Sequence, residues 1–294
     1  MAYISLIFII LFLINPQLAM AQVSIYSVNE PPANYLQADG TQTGYVLDIV
    51  QALQKYIGAE NEILFVPEVR ALELARSEAN IVLFSFSRTP DRETKFHWIG
   101  KVMEKTWRVF ALTSSQISVN RIEDLKAIKR IGVVRGDVRQ QWMSKRGFTN
   151  LVLASEHQQN LALLLRGRVD AIVHESHSIA FLLKNDKQSR TQLKPLFSIN
   201  KSDVYIVMSK ASDDKLVKQW RSGFAYLKAN KRIAEIAKRW RQKISLDLGV
   251  GATLQDGILV FWANSGVFCS KSVKVVIFGK LIYKWDWFSF IFKL

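Results

Sequence analysis

Cysteine is all but missing from this 294-residue chain: Cys269 stands alone, within the last 44 residues. The body before it therefore has no internal disulfide, no thiol nucleophile and no thiolate metal site. Histidine is scarce as well, with only His97, His157, His174 and His177. His174 and His177 flank Glu175, but they fall at a strand end and no third ligand is evident, so polar loop residues are the preferred reading over a metal site. Serine catalysis finds no frame either. The Gly-x-Ser-x-Gly elbow is absent, and Ser87 has no adjacent histidine. Long apolar runs are also lacking. The unbroken run Leu6 to Ile14 is too short to span a bilayer comfortably. No Lys or Arg precedes it, yet Ala19-Met20-Ala21 has the small-x-small form of a signal-peptidase site. Residues 1–21 are accordingly expected to be a cleaved secretory signal, and no cysteine follows the site to carry a lipid anchor.

What is present suits a sizeable core. Apolar residues make up 49% of the chain, and its length has room for two domains of ordinary size. The net charge is +15, much of it between Lys210 and Lys243, where eleven Lys and Arg face three acids. Such a balance suits nucleic acid or an anionic membrane face. An export signal argues against nucleic acid, and a solvated basic helix face is the preferred reading. Residues 251–294 hold ten aromatics without a helical or alternating period, and Lys274, Lys280 and Lys284 interrupt the segment as a membrane helix. This tail, residues 249–294, is expected to be foreign to the fold and to pack poorly.

The body alternates strands and helices. Val23–Val28 is expected as a strand, Tyr45–Tyr56 as an amphipathic helix stopped by Gly58, Glu62–Val66 as a strand and Glu68–Arg76 as a helix. Ile81–Phe84 follows as a strand buried on both faces. A second series begins after Leu125: strand 131–134, helix 138–145, strand 151–154, helix 156–165 capped by Ser155, and strand 169–173. After Pro195 come a strand, Val204–Met208, and two long basic helices that have no sheet of their own. Their return to the first series would make two crossovers between two α/β lobes, which is the geometry of a hinge over a cleft.

The stretch from Asn80 to Glu93 is the centre of this reading. An apolar strand turns polar at Ser85 and Ser87, and Thr89-Pro90-Asp91 has the form of a helix start with Thr as N-cap. Open N–H groups there, with the guanidinium of Arg92, would attract an anionic ligand at the carboxyl end of a buried strand, and an ordinary strand–turn–helix with a solvated Arg fits the stretch equally well. Arg70, after Pro67, either points into the cleft or lies on a helix surface. Trp98 and Trp107 fit core and cleft wall equally well.

Several of these pieces, in this order and spacing, resemble the family 3 extracellular solute-binding proteins from about Val23 to Trp240. Gly44-Tyr45-Val46-Leu47-Asp48-Ile49 is similar to the family's opening of its first long helix, with Val46 in place of an acid. Ser85-Phe86-Ser87-Arg88-Thr89-Pro90-Asp91-Arg92 resembles its ligand segment. Ile122-Glu123-Asp124-Leu125 with Ile131-Gly132-Val133 resembles the lead-in to lobe two, Gly167-Arg168-Val169-Asp170-Ala171 the step before the second ligand strand, and Lys238-Arg239-Trp240 the terminal helix. The resemblance implies an α/β protein of two Rossmann-like lobes joined by a double-crossover hinge, the type II periplasmic-binding-protein fold. Lobe one would take residues 22–114 and 206–248, and lobe two residues 115–205.

It implies roles as well. Arg92 would clamp a ligand carboxylate, with Ser85 and Ser87 as hydrogen-bonding neighbours. Glu175 would receive an ammonium where an aspartate is usual, Asp137 stands where Thr or Ser is usual, and Glu30 stands in place of a pocket aromatic. These three acids are expected to suit a basic or polyamine-like solute. The implied protein is a periplasmic, monomeric component of an ATP-driven importer, working with a membrane permease and without a cofactor or catalysis. Two alternatives stay open. One is an enzyme of the same fold, a cyclic-acid dehydratase or a lytic transglycosylase, with Glu175 or Asp137 as proton donor. The other is a ligand-sensing module for a separate membrane partner.

Overall fold

The computed structural model describes residues 23–183, 192–248, 252–255 and 258–261, all within one compact unit that ends at residue 263. The expected signal segment and most of the aromatic tail lie outside the described residues.

The first lobe is built on β1 (Ser24–Ser27), β4 (Ile63–Phe65) and β5 (Ile81–Ser87), with β1 in the middle and all three parallel. Between them, β2 (Tyr35–Leu36) and β3 (Gln42–Thr43) form a small antiparallel pair, followed by α1 (Tyr45–Ile57) and α2 (Glu68–Ser77). α1 buries Tyr45, Val46, Leu47, Ile49, Val50 and Leu53, the stripe its apolar spacing demands. Gly58 ends it in the left-handed conformation at φ 69°, as a C-terminal glycine does. Every residue of β5 is buried, as its continuous apolar run requires. The helix expected at Thr89 is shorter than the sequence suggests. Pro90–Arg92 make one 3-10 turn, and the Thr89 side chain forms no capping bond.

Two long strands, one unassigned from the sequence and one assigned only at its end, organise the molecule. β6 (Phe96–Leu112) and β10 (Leu193–Ser209) are each 17 residues long and pair antiparallel from Phe96↔Ser209 to Leu112↔Leu193. Val204–Met208 of the sequence reading is only the second end of β10. Along β6, Met103 packs in the first core while Val109 packs in another; along β10, Val204 belongs to the first and Ile199 packs against the second. The two strands are therefore the double crossover. Register shifts interrupt their pairing at four places, including Ser198/Asn200 and Val204/Tyr205 beside the change of core. Such irregularities bend and twist a ribbon locally.

The second lobe holds β7 (Ile131–Val134), α3 (Val138–Lys145), β8 (Leu151–Ala154), α4 (His157–Leu165), β9 (Ala171–Glu175) and α5 (Ser176–Leu182). Its parallel strands run β9-β7-β8, and β9 joins β6 antiparallel, giving the path β4-β1-β5-β10-β6-β9-β7-β8. Ser155 does not cap α4; Glu156 occupies the cap position, and Ser155 instead bonds Gln159. The chain then returns through β10 to α6 (Asp214–Ala229) and α7 (Arg232–Leu248), which pack on the first lobe against α1. Asp48 of α1 accepts from Arg239 at 2.9 Å and Trp240 at 2.7 Å, so two widely separated motifs meet. In the tail, β11 (Ala252–Gln255) and β12 (Ile258–Phe261) form a hairpin, and Leu259 and Val260 lie parallel to Met103 and Glu104.

Candidate functional site

Where the lobes meet, a cavity of about 30 Å³ is lined from both sides. That is room for about two waters. Ser27, Glu30, Glu68, Ser85, Ser87 and Arg92 come from the first lobe, Asp137, Val138 and Arg139 from the second, and Lys105 and Trp107 from the crossover strand β6. The lobes touch closely beside it. Gly136, at φ +76°, faces Val69 of α2 so nearly that a Cβ there would come within 2.7 Å of its Cγ2. Outside this contact a second crevice of about 540 Å³ lies between α2 and the start of α3.

Arg92 sits at the end of the 3-10 turn with 3% of its surface exposed. Its guanidinium lies 4.0 Å from the centre of the Phe86 ring, a cation–π contact. Nε and Nη2 have no hydrogen-bond partner. A buried charge in that state carries a desolvation cost that a ligand anion would relieve. Burial pulls its proton affinity down, while Glu68 and Asp137 act to hold it up.

The adjoining residues are already engaged. Ser85 adopts φ 62° and donates to Asn34, a left-handed backbone that non-glycine residues avoid and that structures hold at functional sites. Ser87 accepts from Ser202 at 3.0 Å. Glu30 is gripped by Lys105 and reached by Arg139 at 3.4 Å. Asp137 is the N-cap of α3 and accepts from the Arg139 backbone N–H at 2.6 Å and its Nε at 2.7 Å, with Nη2 on the other oxygen. Burial works to raise Asp137, but the Arg139 guanidinium and backbone N–H outweigh it and hold the carboxyl well below its usual range. Glu30 is likewise held low by Lys105 and Arg139 against burial. Glu68, half-buried at the start of α2, goes the other way. Burial and the carboxylates of Asp137 and Glu30 push it up to about 8 against the pull of Arg92 and Arg139.

Five of the residues singled out in the sequence are thus brought together: Glu30, Ser85, Ser87, Arg92 and Asp137. Two are not. Glu175 is buried but spent on its own helix, where its carboxylate accepts from the His177 and Ser178 N–H groups at 2.9 and 2.8 Å and meets His177 Nδ1 at 2.6 Å. Burial tends to raise it, yet His177 and the two N–H groups hold it down to about 2. Arg70 lies on the exposed face of α2, paired with Glu73 at 3.1 Å. Trp107 lines the cavity wall, while Trp98 packs in the aromatic cluster of Phe86, Phe96 and Tyr205.

Three residues escaped sequence reasoning. Lys105 lies on the unassigned strand β6. Arg139 sits two residues after Asp137, and that Asp-x-Arg spacing at a helix start is a signal for a self-neutralised cap. Glu68 carried only the mark of a first-turn acid. Among the described residues, the three-ligand grouping at metal-like spacing is Glu68, Asp137 and His157, rather than His174 and His177. Asp137 already gives both oxygens to Arg139, so the charge there is balanced without an ion.

Comparison with known proteins identifies the fold and the family. Among curated proteins none matches the sequence. Solved structures with the same fold include a histidine kinase sensor domain that resembles periplasmic binding proteins (19% identity, TM-score 0.67, covering 74% of this chain and 96% of that one). An ancestral arginine-binding protein bound to glutamine matches at 18% identity, TM-score 0.66, covering 75% and 98%. The solute receptor for L-cysteine of Neisseria gonorrhoeae matches at 17%, TM-score 0.66, covering 76% and 91%. Identities this low show the shared fold: two α/β lobes of the type II periplasmic binding proteins. A family model for bacterial extracellular solute-binding proteins, family 3, matches residues 23–243, and the chain belongs to that family.

Proposed function

We propose that this protein is an exported, periplasmic solute-binding component of an ATP-driven importer, which encloses a small polar solute between its lobes and presents the closed form to a membrane permease. The observation that carries the reading is Arg92: a buried, unpartnered guanidinium aimed into a cavity that both lobes line. A ligand carboxylate on Arg92 that also touches the Asp137–Arg139 side would bind the closed arrangement better than the open one. That differential affinity is what shifts a hinge equilibrium. The permease then needs only to recognise closure. Among the described residues no helix is long and apolar enough to cross a membrane, which fits a partner that supplies the membrane path.

The basic or polyamine-like solute expected from Glu30, Asp137 and Glu175 loses its support. Lys105 and Arg139 occupy the first two acids, and a helix cap and His177 occupy the third. The enzyme alternative weakens for the same reason, because neither Glu175 nor Asp137 is left to donate a proton. The sensory alternative keeps one specific support, the sensor domain among the structures of like fold. Calorimetric titration with carboxylate-bearing solutes tests the proposal. Saturable binding without turnover, removed by Arg92→Met, is expected; turnover of a cyclic acid would refute it. Co-purification with a permease separates transport from sensing.

A further inference from the structure

The hydrogen-bonding capacity left over in the cavity has one sign. Among the described residues, the buried side-chain N and O atoms without a partner that belong to cavity-lining residues are Arg92 Nε, Arg92 Nη2 and Arg139 Nη1. All three are guanidinium donors, which have no acceptor capacity. They come from opposite lobes, Arg92 from the first and Arg139 from the second. The lining acids Glu30 and Asp137 are committed to Lys105 and Arg139. An ammonium is three donors with no acceptor. Entering here it would meet Arg92, Lys105 and Arg139, and apart from Glu68, which Arg92 and Arg139 already face, it would have to break one of the buried ion pairs to find an acid. Breaking such a pair strands its cation without compensation. A carboxylate meets donors that already lack partners.

From this we infer that the site takes a small amine-free organic acid, whose carboxylate oxygens accept from Arg92 on one lobe and Arg139 on the other. The inference rests on the Arg92 clamp proposed above and adds the absence of a cationic group on the ligand. Glu68 is the lining acid that no cation occupies. It faces Asp137, Glu30, Arg92, Arg139 and His157, and burial with the neighbouring carboxylates raises its proton affinity, which makes it a poor receiver for an ammonium.

The test is calorimetry of the full-length protein with pairs matched except for the amine: 2-oxoglutarate against L-glutamate, pyruvate against L-alanine, with succinate as an amine-free dicarboxylate. The expected result is that the amine-free members bind, each at least about tenfold tighter than its amino partner. An amino member binding more tightly, still dependent on Arg92, overturns this inference and leaves the clamp standing. Binding by none of these acids and amino acids overturns both.

Discussion

Two buried arginines stand on either side of the same small cavity, and the chain treats them in opposite ways. Arg139, on the second lobe, is held by both oxygens of Asp137, two residues before it, and reaches Glu30 across the lobe boundary. Arg92, on the first lobe, has a phenyl ring and no acid in hydrogen-bond contact. Both side chains are buried and bear a desolvation cost, and only Arg139 has it offset by acids in hydrogen-bond contact. A guanidinium satisfied by its own chain is part of the scaffold. One left unsatisfied is a receptor, with part of its favourable interaction held in reserve for a ligand. The contrast separates structure from function more sharply than burial alone, since Arg92 is 3% exposed and Arg139 4%.

The comparison breaks most visibly at Asp137. Asp137→Ala leaves Arg139 only its longer contact to Glu30 in a dry site and removes the cap of α3, and should cost about 3 kcal/mol in denaturant unfolding. A loss under about 1 kcal/mol would mean that the pair is solvated and that the two arginines do not differ as described. Arg92→Met should show the reverse pattern. Ligand affinity falls by about a hundredfold, while stability stays the same or rises because an uncompensated charge is gone. Unfolding at lower denaturant than wild type would assign Arg92 a structural role.

Glu175 sharpens the comparison from a third position, because it is an acid spent on structure. Glu175→Ala removes the cap of α5 and should cost about 1–2 kcal/mol, without changing ligand affinity. Its folded pKa of about 2 lies below the unfolded value of 4.5. The stability it lends is therefore full above about 4.5 and lost as pH falls toward 2. Acid unfolding of the variant should start from a lower plateau and show a shallower slope in that window. A ligand affinity that drops with the cap would return Glu175 to the site. The smallest effect is expected at Arg70, where the exposed pair with Glu73 is worth little. Arg70→Ala should shift stability by less than about 0.5 kcal/mol and leave binding untouched.

Much of this was open to reading in the chain. The parallel units were legible because a strand buried on both faces must be continuously apolar, as in Ile81–Phe84 and Ile131–Val134, and a surface helix must keep a stripe, as in Tyr45–Ile57. Arg92, Ser85 and Ser87 were legible because the change from apolar to polar marks where a buried strand reaches the cleft. β6 escaped because its buried face, which alternates from Met103 to Val109, carries the charged Lys105, and the pattern on either side of that stretch is irregular. Lys105 was lost with it.

The sequence by itself determined which residues are apolar, where helices stop, and that an arginine follows the apolar strand Ile81–Phe84. Only the tertiary structure decided which charges are spent. Whether Asp137, Glu30 or Glu175 faces a ligand or a neighbour depends on distances between segments far apart in the chain, and on Arg139 and Lys105 arriving first. Spacing along a sequence fixes local geometry, but pairing in a low-dielectric cleft is settled by which opposite charge the fold brings within about 3 Å.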